Sequence, residues 1–147
     1  MITNTRQYAV TQKSIREFEQ TLGEIELKKD ELSPDRRELY RKAIQSELEV
    51  LREQLAEYDA LREGRVSSVE LSSLDDLPKA LIKARIAAGL TQRQLAEKLE
   101  RREQQVQRWE SREYDGVSFT RMLEVADALG LDARMQVRLP VADEVEV

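Results

Sequence analysis

The sequence predicts a mostly α-helical protein, with an N-terminal antiparallel helical hairpin followed by a compact domain of four to five short helices. Three observations support this class. Apolar residues recur at spacings of three and four over long stretches. Glycine and proline are scarce, with five and three in 147 residues. Most of them lie where the periodic runs stop, as expected at the ends of helices.

The first long helix is predicted from about Thr11 to Glu31 and is interrupted at Gly23. After a stop at Leu32, Ser33 is expected as the N-cap of a second helix, with Pro34 at its first position and Gly64 at its end. The second helix should be about 45 Å long at 1.5 Å per residue. The narrow apolar stripes of the two helices consist of Ile15, Phe18, Leu22, Ile25, Tyr40, Ile44, Leu48, Leu51, Leu55 and Tyr58.

Two such stripes cannot shield all of their apolar surface, so residues 1–65 are expected to form an arm that binds a partner. The sequence leaves open whether that partner is a second copy of the chain, another protein or the C-terminal part of the same chain. Residues 66–76 are interpreted as a linker. The apolar and polar residues of 66–71 and 134–139 alternate, which predicts two short strands that could pair with each other. Pro140 stops the second of these within a C-terminal strand and tail at 133–147, whose last residues, VADEVEV, are expected to be frayed.

The helix boundaries within 77–132 are marked by capping signals. A first helix begins near Pro78 and ends at Gly89, and Thr91 with Gln94 forms a capping box that opens the next helix. A second short helix follows from Glu103 to Arg112, with Val106 and Trp109 facing inward. A last helix is capped by Ser118 and closed by Gly130, and its apolar side is expected to consist of Phe119, Met122, Leu123, Val125, Ala126 and Leu129.

Composition excludes most catalytic chemistry. The chain has no cysteine and no histidine, which removes thiolate and imidazole metal sites and the common nucleophile pairs. There is no apolar run near the length of about 18 residues that a membrane span needs, and no signal peptide. We therefore expect a cytoplasmic protein that is not an enzyme and has no cofactor, no metal and no membrane partner.

The segments RIAAGLTQRQLAEKL (85–99) and REQQVQRWE (102–110) resemble the Xre/phage-repressor family of helix-turn-helix domains. The resemblance implies that the second helix of the pair lies in the major groove of DNA and that Gln92 contacts a phosphate. It also implies that Ala96 is small because the helices cross there, and that Val106 and Trp109 belong to the core.

The turn between the two helices departs from the family pattern. A glycine followed by an apolar residue is usual there, whereas this chain has Glu100 and Arg101. A non-glycine residue in a left-handed turn costs about 1 to 2 kcal/mol. Arg102 is also a poor N-cap for the helix that follows. We expect a less stable helix pair with the same fold.

The outward residues of the second helix are the candidates for reading bases, since glutamine can pair with adenine and arginine with guanine. The candidate base-contacting residues are Gln104, Gln105, Gln107 and Arg108, and the candidate phosphate-contacting residues are Arg85, Gln92, Arg93, Arg102 and Arg112. Net charge is −5, but residues 77–116 carry nine basic and six acidic side chains, a local +3. Because one such domain makes few phosphate contacts, a homodimer on a two-fold operator is expected, with half-sites about 34 to 36 Å apart or a multiple of this.

The function predicted first is a sequence-specific DNA-binding repressor. The arrangement of a small helix-turn-helix domain with an N-terminal helical segment and a short strand-like tail is similar to HigA-type antitoxins. That resemblance implies a protein that masks a small ribonuclease toxin and represses its own operon. The alternatives are a free-standing or prophage-type regulator that dimerises through its arm, and a structural adaptor that has lost DNA binding.

Overall fold

The structure is a computed structural model that describes residues 1–28 and 31–142. Within these residues it contains six α-helices and no strand, so the mostly α-helical class is confirmed. The helices are α1 (Thr5–Leu27), α2 (Pro34–Arg62), α3 (Leu77–Ala87), α4 (Gln92–Lys98), α5 (Glu103–Ser111) and α6 (Phe119–Ala128), and a 3₁₀ turn at Leu74–Asp76 precedes α3.

Helix α1 begins earlier than the apolar periodicity predicted. Asn4 caps it, because the Asn4 side-chain oxygen accepts a hydrogen bond from the Gln7 N–H at 2.8 Å. The Gln7 side-chain oxygen in turn accepts from the Thr3 N–H at 2.8 Å. These bonds satisfy donors that a helix start would otherwise leave open. Gly23 lies within α1 and does not interrupt it.

Helix α2 begins as predicted, with Ser33 accepting from the Arg36 N–H and Pro34 in the first turn. Gly64 follows its end with φ +72°, a conformation that glycine adopts without strain. Helices α1 and α2 pack against each other as the predicted hairpin. Apart from Tyr40, which is exposed, the stripe residues are buried or half-buried. The facing helix covers most of this stripe, and the C-terminal part of the same chain, one of the three expected partners, packs on Leu55 and Tyr58.

The base of the hairpin shares a core with the helices that follow it. Ile2, Tyr58 and Leu61 belong to the same buried cluster as Leu81 and Leu95. Polar contacts reinforce this packing. Glu57 of α2 pairs with Lys83 of α3 at 3.0 Å, and within the hairpin the Tyr8 hydroxyl donates to Asp59 at 3.1 Å. That hydrogen bond to a carboxylate also raises the pKa of Tyr8. The division at 66–76 stays a prediction.

The two predicted strands are absent, and this prediction was wrong. Residues 66–71 and 134–139 are irregular and are not paired with each other. Alternation of apolar and polar residues specifies the two faces of a strand, but a strand also needs a neighbouring backbone to complete its hydrogen bonds. The described part of one chain supplies no such neighbour. Residues 143–147, predicted to be frayed, lie outside the described residues.

Candidate nucleic-acid interface

Helix α4 begins at the predicted capping box. The Thr91 hydroxyl accepts from the Gln94 N–H at 3.0 Å, and the Gln94 side chain accepts from the Thr91 N–H at 2.9 Å. Leu95 and Ala96 on the inner face are fully buried. α4 packs closely on α5, which is consistent with the small side chain expected at Ala96.

The turn between α4 and α5 has the left-handed conformation that the family pattern implied. Glu100 has φ +55°. The Arg101 N–H donates to the Ala96 carbonyl at 2.8 Å, and the Glu100 N–H donates to the Glu97 carbonyl at 3.2 Å. These two bonds form a Schellman motif, which normally has glycine at the position of Glu100. Arg102 precedes α5 without a side-chain cap, as predicted.

Helix α5 separates its inner and outer faces cleanly. Val106 and Trp109 are buried, as predicted. Among the predicted base-contacting residues, Gln104, Gln107 and Arg108 are exposed and Gln105 is half-buried. The Gln107 amide donates to the Glu103 carboxylate at 3.2 Å, one turn earlier on the same side of the helix. The inner face of α5 is therefore packed in the core, and its outer face exposes amide and guanidinium groups to solvent.

A buried ion pair between α3 and α5 lies behind this face. The Arg85 guanidinium makes two hydrogen bonds of 2.7 Å to the two carboxylate oxygens of Glu110, and both side chains are buried. Arg85 also donates to the Leu90 carbonyl at 2.7 Å and to the Thr3 carbonyl. Gln92 adds a bond from its amide to Glu110 at 3.1 Å. The pair is thus surrounded by partners that satisfy its remaining donors and acceptors.

This arrangement corrects two of the predicted phosphate contacts. Arg85 is 3% exposed and Gln92 is 6% exposed, and both side chains are engaged inside the protein. The Gln92 oxygen accepts from the Asn4 amide at 3.3 Å. Neither side chain can reach a phosphate without breaking these bonds. The other predicted phosphate contacts, Arg93, Arg102 and Arg112, are exposed, and Arg93 forms only a solvent-exposed ion pair with Glu97.

Sequence reasoning missed the role of Glu110. Its position was informative, because Glu110 lies four residues after Val106 on the inward face of α5. Arg85 likewise lies four residues after Leu81 on the inward face of α3. Opposite charges at the inner positions of two short helices indicate a buried pair, since an unpaired charge there is strongly unfavourable.

The segment after α5 covers Trp109. The Arg121 guanidinium lies 5.8 Å from the Trp109 ring, and the Tyr114 ring lies 6.0 Å from it. Tyr114 is buried, and this burial raises the pKa of its hydroxyl. Ser118 caps α6 as predicted, accepting from the Arg121 N–H at 3.1 Å.

The predicted apolar side of α6 is only partly correct. Val125 is buried and Met122, Ala126 and Leu129 are half-buried, but Phe119 and Leu123 are exposed. These two residues lie one turn apart, toward the edge of the apolar stripe, where the neighbouring helices of the cluster do not cover them.

The comparison with protein families agrees with this geometry. A family model described as helix-turn-helix matches residues 81–135, from within α3 to beyond α6. Residues 81–135 are therefore similar to the helix-turn-helix family. The match confirms the resemblance read from 85–110 and supports a DNA-binding transcriptional regulator. It covers a little over a third of the chain, and it does not include the hairpin. Comparisons with curated proteins and with solved structures gave no match.

Among residues 1–28 and 31–142, no group of three or more acidic side chains is placed to hold a metal ion. Within the same ranges, no helix has the length and apolar character to cross a membrane.

Proposed function

We propose that the protein is a sequence-specific transcriptional repressor that acts in the cytoplasm by placing α5 in the major groove of an operator. The observation that carries this proposal is the outer face of α5, where Gln104, Gln107 and Arg108 are exposed above a buried Arg85–Glu110 pair. Glutamine and arginine are the side chains that pair bidentately with adenine and guanine in that groove. Rigid support behind them favours a fixed reading geometry.

Exposed arginines flank this face and would position it on the DNA backbone. Arg93 lies near the start of α4, Arg102 lies just before α5, and Arg112 lies just after it. Removing the internally paired Arg85 and Glu110 from the count leaves the local surplus of three positive charges unchanged. Phosphate contacts of this kind set orientation and add affinity without reading sequence.

We infer that the repressor is a homodimer and that its tail, rather than its arm, supplies the main dimer contact. The apolar stripe of the arm is largely covered within the hairpin. In the tail, by contrast, the alternate side chains of Met135, Val137, Leu139 and Val141 are between 60% and 79% exposed. Although this segment is irregular in the single chain, an extended conformation would give it one apolar face, which is suited to pairing with the same segment of a second copy.

The tail sequence is self-complementary for antiparallel pairing about a two-fold axis at Val137. In that register Met135 of one copy lies opposite Leu139 of the other, so apolar side chains share one face. If Val137 occupies a hydrogen-bonded pair, Pro140 falls at a non-hydrogen-bonded position, where its missing N–H costs nothing. Phe119 and Leu123 provide further exposed apolar surface on α6. This two-fold symmetry would match that of an operator with two half-sites.

The repressor proposal is tested by selecting a preferred duplex from a random pool with the wild-type protein. Arg108→Ala and Gln104→Ala are then measured on that duplex and on a mixed-sequence duplex. Each substitution should reduce the preference for the selected duplex by about 5- to 150-fold, the equivalent of roughly 1 to 3 kcal/mol. Arg16→Ala, an exposed arginine far along α1, is the control. Circular dichroism should show that all variants keep the fold.

Two outcomes would contradict the proposal. If both α5 variants retain the wild-type preference, α5 is not the reading helix. If the wild-type protein selects no duplex at all, the hypothesis of a structural adaptor that does not bind DNA is favoured.

A second candidate function is the antitoxin role, which one observation favours. The end of the hairpin remote from the core has exposed Leu27, Leu39 and Tyr40, which lie away from the helix-turn-helix domain and could bind a protein partner while α5 binds DNA. This role requires a short neighbouring open reading frame whose product is toxic when expressed alone. Co-expression of this chain should restore growth, and a Leu39→Glu/Tyr40→Glu variant should fail to do so. If this variant restores growth as well as wild type does, the remote end of the hairpin does not contact the toxin.

A further inference from the structure

A cleft lies between the first turns of α1 and the helix-turn-helix pair. It has a volume of about 590 Å³ and is open to solvent. One wall consists of the N-terminal residues, including Asn4, Arg6 and Gln7. The rest of the lining includes Gln54 of α2, Gln92 at the start of α4, and Gln107 and Ser111 on α5. The cleft therefore lies between α1, which is outside the family match, and α5, which is proposed to contact bases.

The chemistry of the cleft suits an anion. Its side-chain lining within the described residues contains amides, hydroxyls, apolar groups and the Arg6 guanidinium, and no carboxylate. Arg6 is exposed, and no ion pair with another described residue holds its charge. Two carboxylates of α5 outside the lining are bonded to lining residues: Glu103 accepts from Gln107, and the buried Glu110 accepts from Gln92 and is paired with Arg85. The hydroxyls of Thr3, Thr11 and Ser111 donate within the protein, so the Arg6 guanidinium is the side chain of the lining that is suited to bind a phosphate.

The position of the cleft points to DNA as the source of that phosphate. Gln107 and Ser111 are one helical turn apart, so the cleft runs along one side of α5. When a recognition helix lies in the major groove, the sugar-phosphate strands pass along its two sides. A cation placed beside the helix, and not on its tip, is therefore placed for the backbone and not for a base.

The wall that carries Arg6 is fixed to the reading unit. The Thr3 carbonyl accepts from Arg85, the Asn4 amide donates to Gln92, and Ile2 is buried in the shared core. Arg6 follows these residues directly, in the first turn of α1. Its backbone position relative to α5 is thus set by buried contacts, which reduces the entropy that a flexible basic arm would lose on binding.

We propose that Arg6 binds a DNA backbone phosphate beside the major groove in which α5 lies, so that α1 extends the DNA-binding surface beyond the helix-turn-helix domain. This inference rests on the proposed DNA-binding function. It assigns the N-terminal turn of the hairpin a direct part in binding, in addition to its part in packing.

The test compares Arg6→Gln, Arg6→Lys and wild type, with Arg16→Gln as a control that removes the same charge from an exposed site farther along α1. Affinity for a mixed-sequence duplex and for the selected duplex is measured between 50 and 300 mM KCl. Loss of one phosphate contact lowers the slope of log K against log salt by about 0.9. We expect Arg6→Gln to show this decrease for each protomer on both duplexes, and Arg6→Lys and Arg16→Gln to retain the wild-type slope.

The possible failures are distinguishable. If wild-type protein binds the duplexes and Arg6→Gln has the slope of Arg16→Gln, the contact at Arg6 is refuted while the repressor proposal stands. An equal decrease in both variants would indicate a general charge effect and would also refute it. If wild-type protein binds no duplex even at 50 mM KCl, the repressor proposal fails and the inference fails with it.

Discussion

Glu100 holds a backbone conformation that its side chain disfavours. Its φ of +55° lies in the left-handed region, where a Cβ atom crowds the following carbonyl. The Schellman hydrogen bonds to Ala96 and Glu97 fix this conformation whatever the residue. The sequence made this strain predictable, because the family pattern located the turn and the residue type determined its cost.

Replacing Glu100 by glycine should therefore stabilise the protein. We expect Glu100→Gly to raise the free energy of unfolding by about 1 kcal/mol, because the strain is relieved by more than the extra freedom that glycine gives the unfolded chain. Chemical denaturation monitored by circular dichroism measures the change. Glu97→Gly, within α4, is the matched control and should destabilise by about 1 kcal/mol. Two losses of similar size would mean that the turn is not strained at Glu100.

At the scale of single elements, capping signals located most helix ends, and periodicity located the faces. Ser33, Thr91 and Ser118 cap the helices that they were expected to cap. These predictions succeeded because a cap is a local hydrogen bond within a few residues. Asn4 was missed because the apolar stripe of α1 does not extend to its first turns.

The interior contacts between elements could not be predicted in the same way. The burial of Arg85 and Gln92 depends on Glu110 and on the Thr3 carbonyl, which are distant in sequence. A resemblance that matches the helix-turn-helix segment says nothing of an N-terminal segment packed against it. The sequence accordingly predicted that Gln104, Gln107 and Arg108 are exposed on α5, and it did not predict that Arg85 and Gln92 are buried behind that face.

The buried Arg85–Glu110 pair between α3 and α5 should contribute to stability only while both partners are present. Glu110→Leu alone should leave the Arg85 charge buried without its partner and cost about 3 to 5 kcal/mol of folding stability. The double variant Arg85→Met/Glu110→Leu should recover much of that loss, because two apolar side chains can fill the same space. Thermal unfolding of the single and double variants measures the coupling.

The same double variant separates support from DNA contact. If Arg85 acts only inside the protein, the folded double variant should bind the selected duplex with the wild-type salt dependence. If the slope of log K against log salt is instead lower by about 0.9 per protomer in a stably folded double variant, Arg85 contacts a phosphate.

For the whole molecule, charge and shape together argue for a dimer. With a net charge of −5, a single copy would have weak attraction for DNA, and its positive surplus is confined to 77–116. Two copies bound to one operator double the phosphate contacts without changing the chain. The exposed apolar surfaces that we compare are the tail, with Phe119 and Leu123 of α6, and the outside of the hairpin.

A matched pair of substitutions distinguishes these two surfaces. Val137→Lys would bring two like charges together at the proposed two-fold axis, which destabilises a strand pair. Val50→Lys makes the same change at an exposed position on α2, away from the tail. We expect sedimentation at micromolar concentration to show wild type and Val50→Lys as dimers and Val137→Lys as a monomer.

The monomer should bind the selected duplex more weakly and should protect a single half-site, whereas the dimer should protect two, about 34 to 36 Å apart or a multiple of this. Dissociation caused by Val50→Lys but not by Val137→Lys would place the contact on the hairpin, and a wild-type monomer that protects both half-sites would require the two copies to meet only on DNA.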